Sequence, residues 1–279
     1  MSPTSLKLTL SVGCEFGYQS QFPTPAIVQV EARRDDDRFC IARENWSSSP
    51  DLETQKYADL QGNPNRRLII APGATTLSYS AEIEVSALPD EVDLDAIQHR
   101  IEELPDETLV FLLASRYCHS DALSDAAWKM FGDSPGGWPR VQAVCDWVHQ
   151  NIQYRAGAST PLTTSLDVFN QQAGICRDFA HMGITFCRAL GIPARYVFGY
   201  LPDIGVVDPG TPMDFHAWFE AYLGGRWRTF DARHNFPRIG RVSVGRGRDA
   251  VDCAMITTFG DATLQTMRVQ AELKSVPEA

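Results

Sequence analysis

The sequence predicts an α+β protein. An N-terminal antiparallel β-sandwich comes first, and a core follows in which a cysteine-bearing helix packs on an antiparallel sheet. Three observations carry this expectation. Apolar and polar residues alternate with period 2 in three runs within the first 88 residues. The spacing becomes helical after Pro89. A helix apolar nearly all round, 177–190, then precedes a second set of alternating strands.

Leu6, Leu8, Leu10 and Val12 alternate with Lys7, Thr9 and Ser11, as do Val28, Val30 and Ala32 with Gln29 and Glu31. Leu77, Tyr79, Ala81, Ile83 and Val85 repeat the pattern. Such runs are strands with one buried face. Gly62-Asn63-Pro64-Asn65 is a turn signal, and Pro23, Pro25, Pro50 and Pro72 punctuate the rest. Residues 1–88 are thus expected to form the sandwich and 89–279 the core.

In the core, 94–104 and 121–131 read as helices, the first ended by Pro105. Pro139 starts another, with Val141, Val144, Cys145, Val148 and Ile152 as its apolar stripe. A polar loop, 156–164, and one helical turn, 167–170, lead to the buried helix. Gly191 caps that helix and Pro193 stops it. Strands are expected at 195–201, 215–223, 226–231 and 263–273.

Composition narrows the function classes. The chain has 279 residues, 44% hydrophobic and 22% charged, which is globular. Lys+Arg is 25 against 35 Asp+Glu, a formal charge of −10. An acidic chain has no general attraction for phosphate backbones or anionic lipid, so no nucleic-acid partner is expected. No apolar run approaches the roughly 18 residues of a membrane span. The segment 1–17 lacks the basic start and continuous apolar stretch of a signal peptide, so the expected compartment is the cytoplasm. The seven cysteines are scattered without a C-x-x-C, which argues against a disulfide scaffold or zinc ribbon. Cys145 and His149 share a helix face but find no further ligands, so neither metal nor cofactor is expected.

Cys176 stands where a loop feeds the buried helix. Unpaired N–H groups and the positive dipole end at a helix start favour a thiolate. Taken alone, it also fits a small buried apolar residue. His216 lies on the strand 215–223, and Gly224-Gly225 signals a two-residue hairpin to 226–231. With those two residues as the loop, Leu223 faces Arg226 and Trp218 faces Asp231. Asp231 is then the diagonal neighbour of His216, roughly 7–8 Å away backbone to backbone and on the same face. A one-residue slip would put it on the other face. Separately, His216 fits a core histidine and Asp231 a strand-end turn residue. Together, in the order Cys, His, Asp, they fit nucleophilic acyl transfer, with the carboxylate orienting the imidazole that activates the thiol. His234, past the strand end, is expected to be exposed.

Gly174-Ile175-Cys176-Arg177-Asp178-Phe179-Ala180, Phe215-His216-Ala217-Trp218 and Thr229-Phe230-Asp231-Ala232 resemble the three core motifs of the transglutaminase-like superfamily. The chain is further similar to bacterial members grouped as cysteine proteases, with a β-rich N-terminal domain before a papain-like, transglutaminase-like core. Ser115-Arg116-Tyr117-Cys118 and Gly247-Arg248-Asp249-Ala250 also resemble stretches of those members.

The resemblance implies Cys176 as nucleophile, His216 as general base and acid, and Asp231 as orienting carboxylate. It implies an oxyanion hole built partly from the Cys176 N–H. Gln171 and Gln172 are candidates for the second donor, Trp218 for a wall of the site and Tyr117 for a neighbour of it. The expected substrate is a protein or peptide amide of peptide, isopeptide or glutamine type. Animal transglutaminases carry a tryptophan shortly before the cysteine. The stretch 161–165 has none, so hydrolysis is expected over transamidation. The loop 202–213 is expected to border the entrance. The other reading is a catalytically silent protein-interaction module that retains the fold.

Overall fold

The computed structural model describes residues 7–207 and 210–275. Leu6, at the start of the first expected strand, and Asp208 and Pro209, in the expected entrance loop, lie outside them.

Six strands form first: β1 (Lys7–Ser20), β2 (Thr24–Val28), β3 (Phe39–Ser49), β4 (Gln55–Ala58), β5 (Pro64–Ile70) and β6 (Gly73–Ser86). β1 pairs with β6 along its whole length, from Lys7 opposite Ser86 to Ser20 opposite Gly73. The expected alternation holds there: Leu10, Leu77 and Ile83 are fully buried, while Lys7 and Glu84 form an ion pair outside.

Three helices, a mixed stretch and six further strands follow: α1 (Asp106–Leu109), α2 (Ser124–Phe131), α3 (Trp138–Asn151), β7 (Gln153–Tyr154), α4 (Ser165–Gln171), β8 (Ala173–Gly174), α5 (Cys176–Ala189), β9 (Ala194–Tyr200), β10 (His216–Leu223), β11 (Arg226–Phe230), β12 (Val242–Gly247), β13 (Ile256–Thr258) and β14 (Ala262–Ser275). The antiparallel sheet β11-β10-β9-β12 carries α5 on one face. The fold is therefore the expected α+β arrangement, with the cysteine-bearing helix on an antiparallel sheet.

The two sandwich sheets have the orders β14-β1-β6-β3 and β13-β2-β5-β4. Each takes one strand from the end of the chain. Without β14, the fourteen-residue strand β1 would leave a long row of unpaired N–H and C=O groups. Both sheets therefore take strands from either side of residue 88. The sandwich also rests on the core sheet: Tyr200 donates to Val30 O at 2.9 Å, and Phe16 stacks on Phe215 at 6.4 Å.

The helix expected at 94–104 does not form. Only a 3₁₀ turn, Ile101–Glu103, is present. Ala96 O accepts from Trp138 N and Ile97 O from Gly224 N, both at 2.9 Å, so these carbonyls tie distant segments together instead of closing helical turns. The expected turn at 167–170 grows into α4, where Thr164 and Asp167 form a capping box.

Candidate active site

Cys176 is the first residue of α5 because Asp178 starts the helix there. Asp178 Oδ2 accepts the Ile175 N–H at 2.8 Å, and Arg177 holds the other oxygen at 3.0 Å. Gly174 permits this, since a Cβ at that position would lie 2.7 Å from the Asp178 Cβ. Parallel pairing of β8 with β7 delivers the chain to the helix.

His216 opens β10. The hairpin register is the expected one: Leu223 faces Arg226 and Phe219 faces Phe230. Asp231 follows β11 directly and accepts from His216 Nε2 at 2.7 Å. Both side chains are buried. Asp231 Oδ1 accepts the N–H groups of Arg233 (3.1 Å) and His234 (3.2 Å), and Oδ2 also accepts from Arg241 Nη2 at 2.9 Å. Arg241 Nε in turn donates to Asp90 Oδ2 at 2.8 Å.

Burial opposes the charge on Asp231, but His216 and Arg241 outweigh it and hold the carboxyl well below its usual range. Burial also pushes the His216 imidazole below its usual value, with Asp231 opposing and Arg241 and Arg233 assisting. The resting pair is a carboxylate and a neutral imidazole. Nε2 carries the proton that Asp231 accepts, which leaves Nδ1 as the free base. Arg233 Nη1 stands 3.5 Å from that nitrogen.

The Cys176 thiol donates to Phe215 O at 3.9 Å, beside His216 in the chain. The residue keeps some exposure, yet burial of the sulfur pushes its pKa up to about 11. The Arg233 charge and the backbone N–H groups of Ala217 and Arg177 pull the other way. The helix start supplies a donor that favours the thiolate, but desolvation outweighs it and raises the thiol's pKa.

Cys176 and His216 open into one cavity of about 490 Å³, shared with Tyr154, Asp214, Arg233 and His234. A larger cavity of about 660 Å³ lies elsewhere, bordered by Arg38, Glu220, Arg241 and Arg246. Its charged walls pair largely with one another, as Arg38 and Arg246 do with Asp36 and Glu220. The smaller cavity, which holds the thiol, is the candidate site.

The structure does not bring every expected residue to it. Gln171 donates to Ala173 O at 2.9 Å, and Gln172 ends α4 in the left-handed region (φ 51°). Both are exposed, and neither lines the cavity, so they are not placed as oxyanion donors. Trp218 is fully buried behind His216, its ring centroid 6.2 Å away. Tyr117 is buried against His181 and donates to Pro161 O at 2.6 Å, anchoring the loop before the helix. Neither is a cavity wall.

The sequence reading misplaced one residue of the site and missed two. His234, expected to be exposed, is half-buried with its ring 4.8 Å from His216, and burial pushes its pKa down to about 3. Arg233 enters through the same turn. Their only sequence signal is adjacency to Asp231. Arg241 had none, because its contacts are long-range.

Cys145 is buried in the core, while His149 is bonded to Arg233 O at 2.9 Å. The donor atoms of His216, Asp231 and His234 do converge within 4.8 Å. However, Arg233, Arg238 and Arg241 all reach this group, at 3.5, 3.2 and 2.9 Å. Three guanidinium charges oppose a cation there.

This fold and site define a class: a helix-borne cysteine set against a hairpin-borne histidine–aspartate pair. The chain belongs to the transglutaminase-like superfamily, whose core description matches residues 127–232, a span that includes Cys176, His216 and Asp231. It is similar to a solved structure from Cytophaga hutchinsonii named a "putative cysteine protease", at 33% identity and a TM-score of 0.88, over 99% of this chain and 93% of that one. An uncharacterized protein of Mycobacterium leprae is 27% identical over 85% of this chain and 88% of its own length. Human kyphoscoliosis peptidase is 25% identical over 43% of this chain and 19% of its own length.

Proposed function

We propose that the chain is a thiol-dependent amidase or peptidase, in which Cys176 is the nucleophile, His216 the general base and acid, and Asp231 the orienting carboxylate. The observation that carries this reading is the 2.7 Å His216–Asp231 hydrogen bond, which leaves Nδ1 unprotonated in the cavity that holds the thiol. Because thiol and imidazole both rest neutral, the proton moves as attack occurs. Sulfur bonds to the amide carbonyl carbon, and its proton passes to His216. Asp231, held in place by its fixed donors, stabilises the resulting imidazolium. The oxyanion forms at the start of α5, where the Cys176 N–H has no intrahelical partner. His216 then protonates the leaving amine, the C–N bond breaks, and an acyl-enzyme remains. Water resolves it with His216 again as base.

The absence of a tryptophan in 161–165 supports hydrolysis over transfer to an amine. Seven free cysteines support the cytoplasm as its place of work. The test is to follow peptide cleavage, ammonia release and dansylcadaverine incorporation in parallel on peptide and glutamine-rich substrates, with wild type and Cys176→Ala. Cys176-dependent hydrolysis is expected to dominate. Amine incorporation without hydrolysis would overturn the preference, and activity that survives Cys176→Ala would overturn the nucleophile.

A further inference from the structure

Four arginines stand around the site, and three are matched. Arg177 pairs with Asp178, Arg238 with Asp203, and Arg241 with Asp90 and Asp231. Arg233 makes no ion pair among the described residues. Asp214 shares the cavity and feels the Arg233 charge, but it stands too far off for an ion pair. Arg233 is nevertheless fixed: its guanidinium lies over the Tyr154 ring, 3.9 Å from the centroid, with Nη1 3.5 Å from His216 Nδ1. A half-buried, immobilised cation facing a cavity is a poised anion site, because an incoming carboxylate restores the interactions its desolvation removed.

Its position selects one half of a substrate. If acyl transfer runs as proposed above, on which this inference rests, His216 Nδ1 delivers a proton to the leaving nitrogen. That nitrogen must come within hydrogen-bond reach of Nδ1. Arg233 stands beside the same point, so a carboxylate on the carbon next to the leaving nitrogen meets the guanidinium. The cavity, about 490 Å³, also suits enclosure of a small group.

We propose that Arg233 binds a free carboxylate on the leaving half of the substrate. The scissile amide then joins an acyl group to the nitrogen of an amino acid whose α-carboxylate is free. This is the C-terminal bond of a peptide, or the amide of an N-acyl amino acid.

Alkylation tests the anion site without knowledge of the substrate. Iodoacetate and iodoacetamide attack the same thiolate and differ in one carboxylate. Their rate ratio at a given pH therefore cancels the thiolate fraction and reports the reagent's charge. Exposed Cys40 is the internal reference, and continued protection of buried Cys118 and Cys187 reports that each variant is folded. The iodoacetate/iodoacetamide ratio at Cys176 should exceed that at Cys40 by roughly tenfold, the lower end of what one charge-assisted hydrogen bond supplies. Arg233→Met should return it to the Cys40 value, and Arg233→Lys should keep part of it. Equal ratios at the two cysteines, or a raised ratio that survives Arg233→Met, would overturn the proposal.

Matched peptide pools ending in a free acid or an amide supply the second arm. Cys176-dependent release of the C-terminal amino acid is expected from the free-acid pool, and equal release from both pools would overturn the proposal. Loss of all Cys176-dependent turnover alongside an intact alkylation ratio would count against the acyl-transfer reaction and leave the anion site standing.

Discussion

Arg241 Nη2 and His216 Nε2 donate to the same Asp231 oxygen, at 2.9 and 2.7 Å. The arginine also takes Asp90 at 2.8 Å and lies over the Trp218 ring at 5.0 Å, while Trp218 stacks beside His216. Arg241 thus fixes the carboxylate that fixes the imidazole. Its charge also helps to hold the His216 pKa down. His216 must be neutral to accept a proton, so activity falls on the acid side through that pKa. Arg241→Met should move the acid limb of the kcat/KM profile to higher pH, and Arg241→Lys should move it less. Breaking this buried pair should also cost about 3–5 kcal/mol of stability. A pH profile and a denaturant titration check both, and an unmoved acid limb would reduce Arg241 to a structural role.

The thiol gives a second expectation. With a pKa pushed up to about 11, Cys176 should react with iodoacetamide slowly at neutral pH, and its rate should still be rising beyond pH 9. Arg233 lowers that pKa, so Arg233→Met should slow Cys176 at any fixed pH. Exposed Cys40 should label first. Mass spectrometry of timed reactions separates the two sites. A Cys176 plateau near neutral pH would instead reveal a thiolate–imidazolium pair already formed at rest.

The sequence made the hairpin legible because Gly224-Gly225 fixes its register, and register decides which face Asp231 shares with His216. Cys176 was legible because Gly174 and the apolar helix mark an element boundary. The electrostatics were not. Arg233 and Arg241 read as ordinary charged residues until the chain folds, because Arg241 meets Asp90 only through tertiary structure. The thiol's pKa depends on desolvation, which no local pattern encodes. The false helix at 94–104 has the same origin: its apolar residues suit a helix, but its carbonyls serve Trp138 and Gly224. The pairing of β14 with β1 is likewise long-range, and only the strands themselves could be read.

Buried neutral histidines predict the pH dependence of stability. His181 lies between the Tyr117 and Tyr196 rings, and its Nε2 accepts the Ala250 N–H at 3.2 Å. Burial pushes its pKa from 6.5 down to about 3. Below pH 6.5 the unfolded chain takes up a proton that the folded chain refuses. The stability contributed is therefore intact above pH 6.5 and is lost as pH falls toward 3. The slope is about 1.4 kcal/mol per pH unit for each such group. His181→Gln keeps an acceptor for Ala250 and removes the titration. Its Tm difference between pH 7 and pH 4 should be smaller than that of wild type, and an equal difference would remove His181 as a cause.

One close contact sets the thiol-bearing helix against the sheet. Gly183 lies seven residues after Cys176 on α5, two turns along and on the same face. A Cβ there would stand 2.4 Å from Phe219 Cε1 and 2.8 Å from Cζ. Phe219 cannot swing aside, because it is fully buried and stacked on Phe230 at 5.7 Å. Gly183→Ala must therefore lift the helix from β10, the strand that starts with His216. Alanine favours the helix by about 1 kcal/mol, whereas overpacking a core costs about 1–3 kcal/mol, so the net is a loss of up to about 2 kcal/mol. Activity should fall much further. A misplacement of about 1 Å between reacting groups can cost roughly a hundredfold, and kcat should fall more than KM rises. Phe219→Leu frees space at the same point, so the double variant should recover part of both losses. Unfolding curves and steady-state kinetics on the four proteins of the cycle measure the coupling. Strict additivity would mean that Gly183 does not set the distance between helix and sheet.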